Sequence, residues 1–229
     1  MISRATVISI KEYNSTIREY SLQLERNSYF EAGSFLQLSL DKDKDHVRWS
    51  DSRNFSIASA YNKDGIIKLI IKKIGSYTSR IFEELLTGEA CLVKYAFGDF
   101  LLPFYDNKGI ICCIAGGTGI APILSFCESL SQKQEESRLH IFYSFKNREE
   151  CVGLDVLTAS VRKEQLHLFC TGEQYEDVTN RRIDMRDICD TQIDIYSSHF
   201  YICGKESFSK HFRIELSECG AKNIYSDEW

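Results

Sequence analysis

The chain has 229 residues, 43% of them hydrophobic and 27% charged, with a formal net charge of −5. That length holds two domains of roughly a hundred residues or one large one, with apolar content enough for a core that needs no cross-links. No apolar run approaches the ~20 residues that span a bilayer, and the net charge gives no reason to expect nucleic acid as a partner.

Met1 to Tyr13 alternates and carries Arg4, Lys11 and Glu12, without the apolar segment of a signal peptide. Nine scattered cysteines, an odd number with no C-x-x-C, argue against a disulfide framework and against a metal or iron–sulfur site, which makes the cytoplasm the expected compartment.

In chain order, Ala5 to Ile10, Ile17 to Leu24 and Phe35 to Leu40 predict three short strands. Asp41 to Asp45 reads as a charged turn. Phe55 to Ala60 and Ile66 to Ile71 flank Asn62-Lys63-Asp64-Gly65, a hairpin signal. A short amphipathic helix from Ser79 to Leu86, stopped at Gly88, precedes a sixth strand at Cys91 to Ala96. Six short strands with one small helix predict a closed antiparallel barrel.

The rhythm changes after the polar link at Tyr105 to Lys108, which sets the expected domains at residues 1–105 and 106–229. Gly109 to Ala115 is continuously apolar, the mark of a strand buried on both faces. It runs into Gly116-Gly117-Thr118-Gly119 and a helix from Ala121 to Leu130. Strands at Leu139 to Phe145, Leu166 to Cys170 and Phe200 to Cys203 then alternate with helices at Leu154 to Val161, Arg182 to Cys189 and Phe208 to Cys219. Tyr225 marks a fifth strand. Such alternation predicts a five-stranded parallel sheet with helices on both faces.

Several segments carry chemistry. In Arg53-Asn54-Phe55-Ser56-Ile57, alternation sends Arg53 and Phe55 to one side of a strand and Ser56 to the other. An apolar plate, a hydrogen-bond donor and a cation are what a flavin requires; an edge strand with a solvent-facing arginine fits the residues equally well. Lys73-Ile74-Gly75-Ser76-Tyr77-Thr78-Ser79 opens the short helix with Ser79 as its cap, and the free N–H groups of a helix start bind phosphate. Taken alone this is plain capping; with Arg53 upstream a phosphate site becomes the better reading. Ala115-Gly116-Gly117-Thr118-Gly119-Ile120-Ala121-Pro122 lies between a buried strand and a helix, the context of a dinucleotide loop. It is neither G-x-G-x-x-G nor a Walker loop. Cys203-Gly204 closes the fourth parallel strand at the end where ligands sit, although a buried inert thiol is the commoner meaning of a cysteine.

Taken in order, Arg-x-aromatic-Ser, Gly-x-x-x-Ser, Gly-Gly-Thr-Gly-x-Ala-Pro, Cys-Gly and a terminal acid–x–aromatic resemble the ferredoxin–NADP reductase family over nearly the whole chain. The resemblance implies an N-terminal six-stranded FAD-binding barrel, a C-terminal NAD(P)-binding domain, and FAD with NADPH or NADH as cofactors. It assigns Arg53, with Asn54 and Ile57 beside it, to the flavin phosphate site, Phe55 to stacking on the flavin ring and Ser56 to its reactive nitrogen. Lys73, Gly75, Tyr77, Thr78 and Ser79 take the FAD pyrophosphate, and Gly117, Thr118, Gly119 and Pro122 that of NAD(P)H. Cys203 and Gly204 adjoin the nicotinamide, Trp229 covers the flavin as a gate, and Asp227 is its acidic neighbour. Ser56, Cys203, Asp227 and Trp229 are the candidate catalytic residues, and no metal is expected.

Three departures matter. Phe55 stands where the family commonly has Tyr. Lys205 replaces a Pro. Cys170-Thr171-Gly172-Glu173 keeps a Thr, Thr171, but lacks the arginine that NADPH-selecting members carry there; Glu173 would repel a 2′-phosphate while Arg181 and Arg182 would attract it, which leaves NADH and NADPH both open. The expected partners are NAD(P)H and an acidic carrier of the ferredoxin or flavodoxin kind, steered by Lys63, Lys72 and Lys73, or else a small acceptor. With no cluster-binding cysteines after Trp229, an iron–sulfur centre is expected on another protein. A free-flavin or ferric reductase and a non-catalytic nucleotide-binding subunit are the alternative readings.

Overall fold

The computed structural model describes residues 1–43, 48–103, 109–191 and 193–228, the last of these for its backbone alone. Two compact units emerge, Met1–Leu101 and Leu102–Trp229. The expected boundary at Tyr105 to Lys108, the end of the charged turn at Asp45 and the Trp229 gate lie outside the described residues.

The first unit contains strands β1 (Ile2–Asn14), β2 (Ile17–Leu24), β3 (Phe35–Ser39), β4 (Arg53–Ser56) and β5 (Ile66–Lys72), helix α1 (Ser76–Glu84) and strand β6 (Ala90–Phe97). The strands form one antiparallel sheet in the order β4-β3-β6-β1-β2-β5. Alternation puts Tyr20, Leu22 and Leu24 of β2 inside, against Leu36, Leu38, Leu69 and Val93. The two sheet edges meet through an Ile57–Leu69 bridge and an N–H···O bond of 2.8 Å from Ala58 to Lys68, which closes the barrel. The expected strand at Phe55 to Ala60 therefore occupies Arg53–Ser56 instead. Beyond the bridge the Ser59 hydroxyl accepts the Lys68 N–H at 3.0 Å and takes the place of a backbone ladder.

Helix α1 also begins earlier than expected, and Ser79 is not its cap. The Thr78 hydroxyl accepts the N–H groups of Ile74 and Gly75, at 3.0 and 3.1 Å, so the first turn forms at Ser76. The Ser79 N–H is already tied to the Gly75 carbonyl at 2.9 Å. The helix stops at Leu85 rather than Gly88, whose N–H instead reaches the Val7 carbonyl in the turn to β6.

The second unit runs β7 (Ile111–Gly116), a 3-10 turn at Gly117–Ile120, α2 (Ala121–Lys133), β8 (Leu139–Phe145), α3 (Leu154–Ser160), β9 (Leu166–Cys170), α4 (Met185–Cys189), β10 (His199–Gly204), α5 (Glu206–Glu218) and β11 (Asn223–Glu228). All four strand pairs are parallel, in the order β11-β10-β7-β8-β9. Ile111 to Ala115 are completely buried, as a central strand covered on both faces requires. The chain leaves β7 toward β8 on one side and returns to β10 on the other, so the gap between β7 and β10 is the topological switch point. The expected helix at Arg182 to Cys189 is shorter, because the Asp184 carboxylate accepts the Arg186 N–H at 2.9 Å and caps α4 there. Seven cysteines are buried and free; Cys189 and Cys219 are free and exposed. Burial pushes the Cys91 thiol up to about 12, and burial with the neighbouring thiols of Cys112, Cys127 and Cys203 raises Cys113, which keeps both protonated.

Candidate functional site

In the first unit, Arg53 and the start of α1 meet over one side chain. The Arg53 guanidinium lies 4.9 Å from the Tyr77 ring centroid and donates to the Ser52 carbonyl at 2.6 Å. Tyr77 is held from below, its hydroxyl donating to the Leu38 carbonyl at 2.8 Å, and burial pushes its phenol up to about 12. Gly75 is exposed in extended conformation, and a Cβ there would meet nothing within 4 Å. Next to an exposed cation, that open space lies over the first amides of a nine-residue helix. The donor set suits the phosphates of a nucleotide cofactor such as FAD.

Strand register separates the neighbouring residues. Leu36 pairs with Phe55 and Phe35 with Ser56. Since Leu36 is in the core, Phe55 shares its side and packs half-buried at the core's rim, while Ser56 shares the opposite side with Phe35. Asn54 is exposed and Ile57 is buried. Lys73 is exposed, its N–H bonded to the Thr16 carbonyl at 2.7 Å and its ammonium 5.4 Å from the Phe82 ring, which Arg18 also covers at 4.4 Å.

In the second unit, the carboxyl ends of β7 and β10 are locked together. A Cβ on Gly119 would sit 2.3 Å from the Cys203 carbonyl oxygen, so only glycine lets this turn dock on β10. Gly117 has φ +57° with open space above it, a conformation that presents backbone N–H groups outward. Thr118 is half-buried in the turn, and Pro122 occupies the first turn of α2, where its missing N–H costs nothing. The arrangement suits a pyrophosphate at the switch point. Register aligns Ala115, Cys203 and Asp227 across β7, β10 and β11, with Cys203 completely buried and Asp227 half-buried. Gly204 ends the same strand, buried.

The ends of β8 and β9 hold the other candidates. Thr171 donates its N–H to the Phe145 carbonyl at 3.0 Å. Arg181 forms a two-pronged ion pair with Asp187, at 2.5 and 2.7 Å, and covers the Phe169 ring at 5.6 Å. Arg148 and Tyr175, which the motifs did not single out, belong to this end as well: the Tyr175 hydroxyl accepts the Arg148 N–H at 3.1 Å. Their only sequence signal was position, immediately beyond a predicted strand end.

Residues 113–213 match the oxidoreductase NAD-binding domain. In the chain this domain follows the six-stranded barrel. The match covers under half of the chain, and the fold as a whole resembles that of solved ferredoxin reductases. It is 29% identical over 219 residues to the terephthalate 1,2-dioxygenase reductase component 1 of a Comamonas species, covering 90% of this chain and 61% of that one. To the phenol hydroxylase P5 protein of Acinetobacter pittii it is 28% identical over 161 residues, covering 69% of this chain and 44% of that one. The chain thus spans only about half of these relatives' length. In fold it resembles a ferredoxin NADP+ reductase of Neisseria gonorrhoeae, solved with bound FAD and NADP, with a TM-score of 0.83 at 19% identity over 99% of this chain and 98% of that one. Among the described residues, no helix is long and apolar enough to cross a membrane.

Proposed function

We propose that this chain is an FAD-dependent NAD(P)H oxidoreductase that passes electrons to a protein acceptor. The observation that carries the reading is the docked Gly116–Gly119 turn at the switch point of an oxidoreductase NAD-binding domain. When bound, the cofactors would supply the redox chemistry, hydride transfer from NAD(P)H to flavin and one-electron transfer onward. The protein binds and orients. Arg53 and the α1 amides hold the FAD phosphates, with Tyr77 as the floor beneath them. Phe55 gives the ring an apolar plate, and Ser56 donates a hydrogen bond to its reactive nitrogen. The amides of Gly117 to Gly119, with Thr118, hold the pyrophosphate of the nicotinamide nucleotide. Cys203, buried and in register with Asp227, shapes the nicotinamide site and does not act as a nucleophile.

The onward acceptor is an acidic one-electron carrier, for which exposed Lys73 and half-buried Lys72 at one end of β5, with exposed Lys63 beyond its other end, offer the complementary charge. The names of two relatives, a reductase component of terephthalate 1,2-dioxygenase and a phenol hydroxylase protein, support a place upstream of an oxygenase. The buried free thiols support a cytoplasmic setting. A second reading, reduction of free flavin or another small acceptor, draws on Phe55, which lacks a hydroxyl to grip the flavin side chain. Anaerobic titration of the FAD-loaded protein with NADH and with NADPH tests the proposal. Bleaching of the flavin absorbance is expected, and its absence with both nucleotides overturns it. A panel of acceptors then separates protein carriers from small molecules.

A further inference from the structure

We propose that Cys189 and Cys219 form a thiol pair that a low-molecular-weight disulfide oxidises to a reversible bridge between α4 and α5. The pair is a modification site, and it stands whether or not the nucleotide sites are read correctly. Seven of the nine cysteines are sealed in the cores; these two are free and exposed. They lie away from the glycine turn. Helix α5 leaves the carboxyl end of β10 at Glu206 and returns to the amino end of the sheet, where Cys219 comes just before β11 starts at Asn223.

Packing brings the two helix ends together. Met185 and Ile188 of α4 share one core cluster with Phe212 and Leu216 of α5 and with Ala221 beyond it. Cys189 follows Ile188 as the last residue of α4, and Cys219 stands three residues after Leu216, on the face that α5 turns to that cluster. Both backbones are tied down. The Asp190 N–H donates to the Arg186 carbonyl at 2.9 Å, and the Thr191 hydroxyl to that of Ile188 at 2.6 Å. The Cys219 N–H donates to the Glu215 carbonyl at 3.0 Å, and the Ala221 N–H reaches back to that of Leu216 at 2.9 Å across Gly220, whose φ is +87°. A Cβ on Gly220 would lie 2.8 Å from the Tyr196 ring, so the turn that presents Cys219 is itself packed.

The thiols also sense each other. Burial first, then the Cys219 thiol and the Asp190 carboxylate, hold the Cys189 thiol above its ordinary value. No stabilised Cys189 thiolate therefore opposes the bridge. In the exchange, one protein thiolate attacks the incoming disulfide, whose S–S bond breaks and releases one small thiol. The second protein thiolate attacks the protein sulfur of the mixed disulfide and releases the other. The pair gives up two electrons and two protons, and the small disulfide leaves as two thiols. The bridge closes a loop over residues 190–218, which holds β10 and nearly all of α5, and so restricts the unfolded chain.

Incubation of the reduced protein with glutathione disulfide, followed by peptide mapping without reductant, tests this. A linked Cys189–Cys219 peptide is expected, with no retained glutathione and full reversal by dithiothreitol. Cys189→Ser and Cys219→Ser are each expected to retain one glutathione on the remaining thiol. Closure is expected to be at least about tenfold faster in the folded protein than in the urea-unfolded chain, because the fold raises the effective concentration of the second thiol. The bridged protein is expected to unfold at a higher urea concentration than the reduced one, with no such rise in either variant. No reaction, stable glutathione on both cysteines of the unaltered protein, a bridge between two molecules, closure no faster than in the unfolded chain, or an unraised urea midpoint overturns the assignment. None of these readouts uses flavin or coenzyme, so failure of the oxidoreductase reading leaves them unchanged.

Discussion

At the scale of single residues, close approach and hydrogen-bond direction decide function. Gly119 faces the Cys203 carbonyl across a gap that no side chain can enter, and both partners are backbone, so neither yields to a rotamer change. Gly119→Ala is expected to destabilise the protein by about 2–3 kcal/mol, as overpacking does, seen as a lower midpoint in urea unfolding. Ser56 sits on the outer side of β4, level with Phe35, and its proposed bond reaches the flavin from there. Ser56→Ala is expected to slow flavin reduction about 10- to 100-fold in stopped flow while changing FAD affinity far less, the signature of an interaction that strengthens as the reaction proceeds. Equal reduction rates would remove Ser56 from the mechanism. Residue type and spacing drew attention to Arg53 and the Gly117–Gly119 turn, and the family resemblance to Tyr77. The motif reading misassigned the helix cap to Ser79, since which of Thr78 and Ser79 turns inward depends on the entry angle of Gly75.

At the scale of elements, the β8–β9 pair contains an acid-sensitive spot. His167 stacks on Phe142 at 4.5 Å, and His140 lies two residues earlier on β8. His140 Nδ1 and His167 Nε2 are buried with no hydrogen-bond partner in the structure. Burial lowers both pKa values from 6.5, and the neighbouring His167 lowers that of His140 further, while Glu164 and Asp187 oppose the shifts weakly. The unfolded chain therefore takes up these protons first. Stability is complete above about pH 6.5 and is lost as pH falls through the depressed folded values. The melting temperature is expected to drop between pH 7.5 and pH 5, and the drop to shrink by more than about 2 °C in the double variant His140→Gln, His167→Gln. An equal drop in both proteins would place the acid sensitivity elsewhere. Element type was legible throughout the second unit, because a strand buried on both faces is a continuous apolar run. In β4 it was less so: apolar residues continue to Ala60, yet the Ser59 hydroxyl ends the ladder from outside the strand.

At the scale of the whole molecule, the chain divides into two compact units, and a ligand that binds one stabilises the folded state of that unit. FAD is expected to raise the melting temperature of the barrel unit in proportion to the logarithm of its concentration, by about 2.7 kcal/mol of stabilisation at a hundredfold excess over Kd. Arg53→Ala is expected to remove most of that rise in a calorimetric scan. A full rise in the variant would mean that the phosphates lie away from Arg53. The sequence by itself determined the two-unit plan, the parallel and antiparallel sheets and the glycine turn, since burial period, strand–helix alternation and backbone freedom are local properties of the chain. Tertiary structure alone decided that Arg53 stacks on Tyr77, that the Gly119 turn lies against Cys203, and that Asp177 and Asp187 occupy Arg148 and Arg181. All but the Arg181–Asp187 pair join residues far apart in the chain, whose meeting depends on how strands order themselves in a sheet.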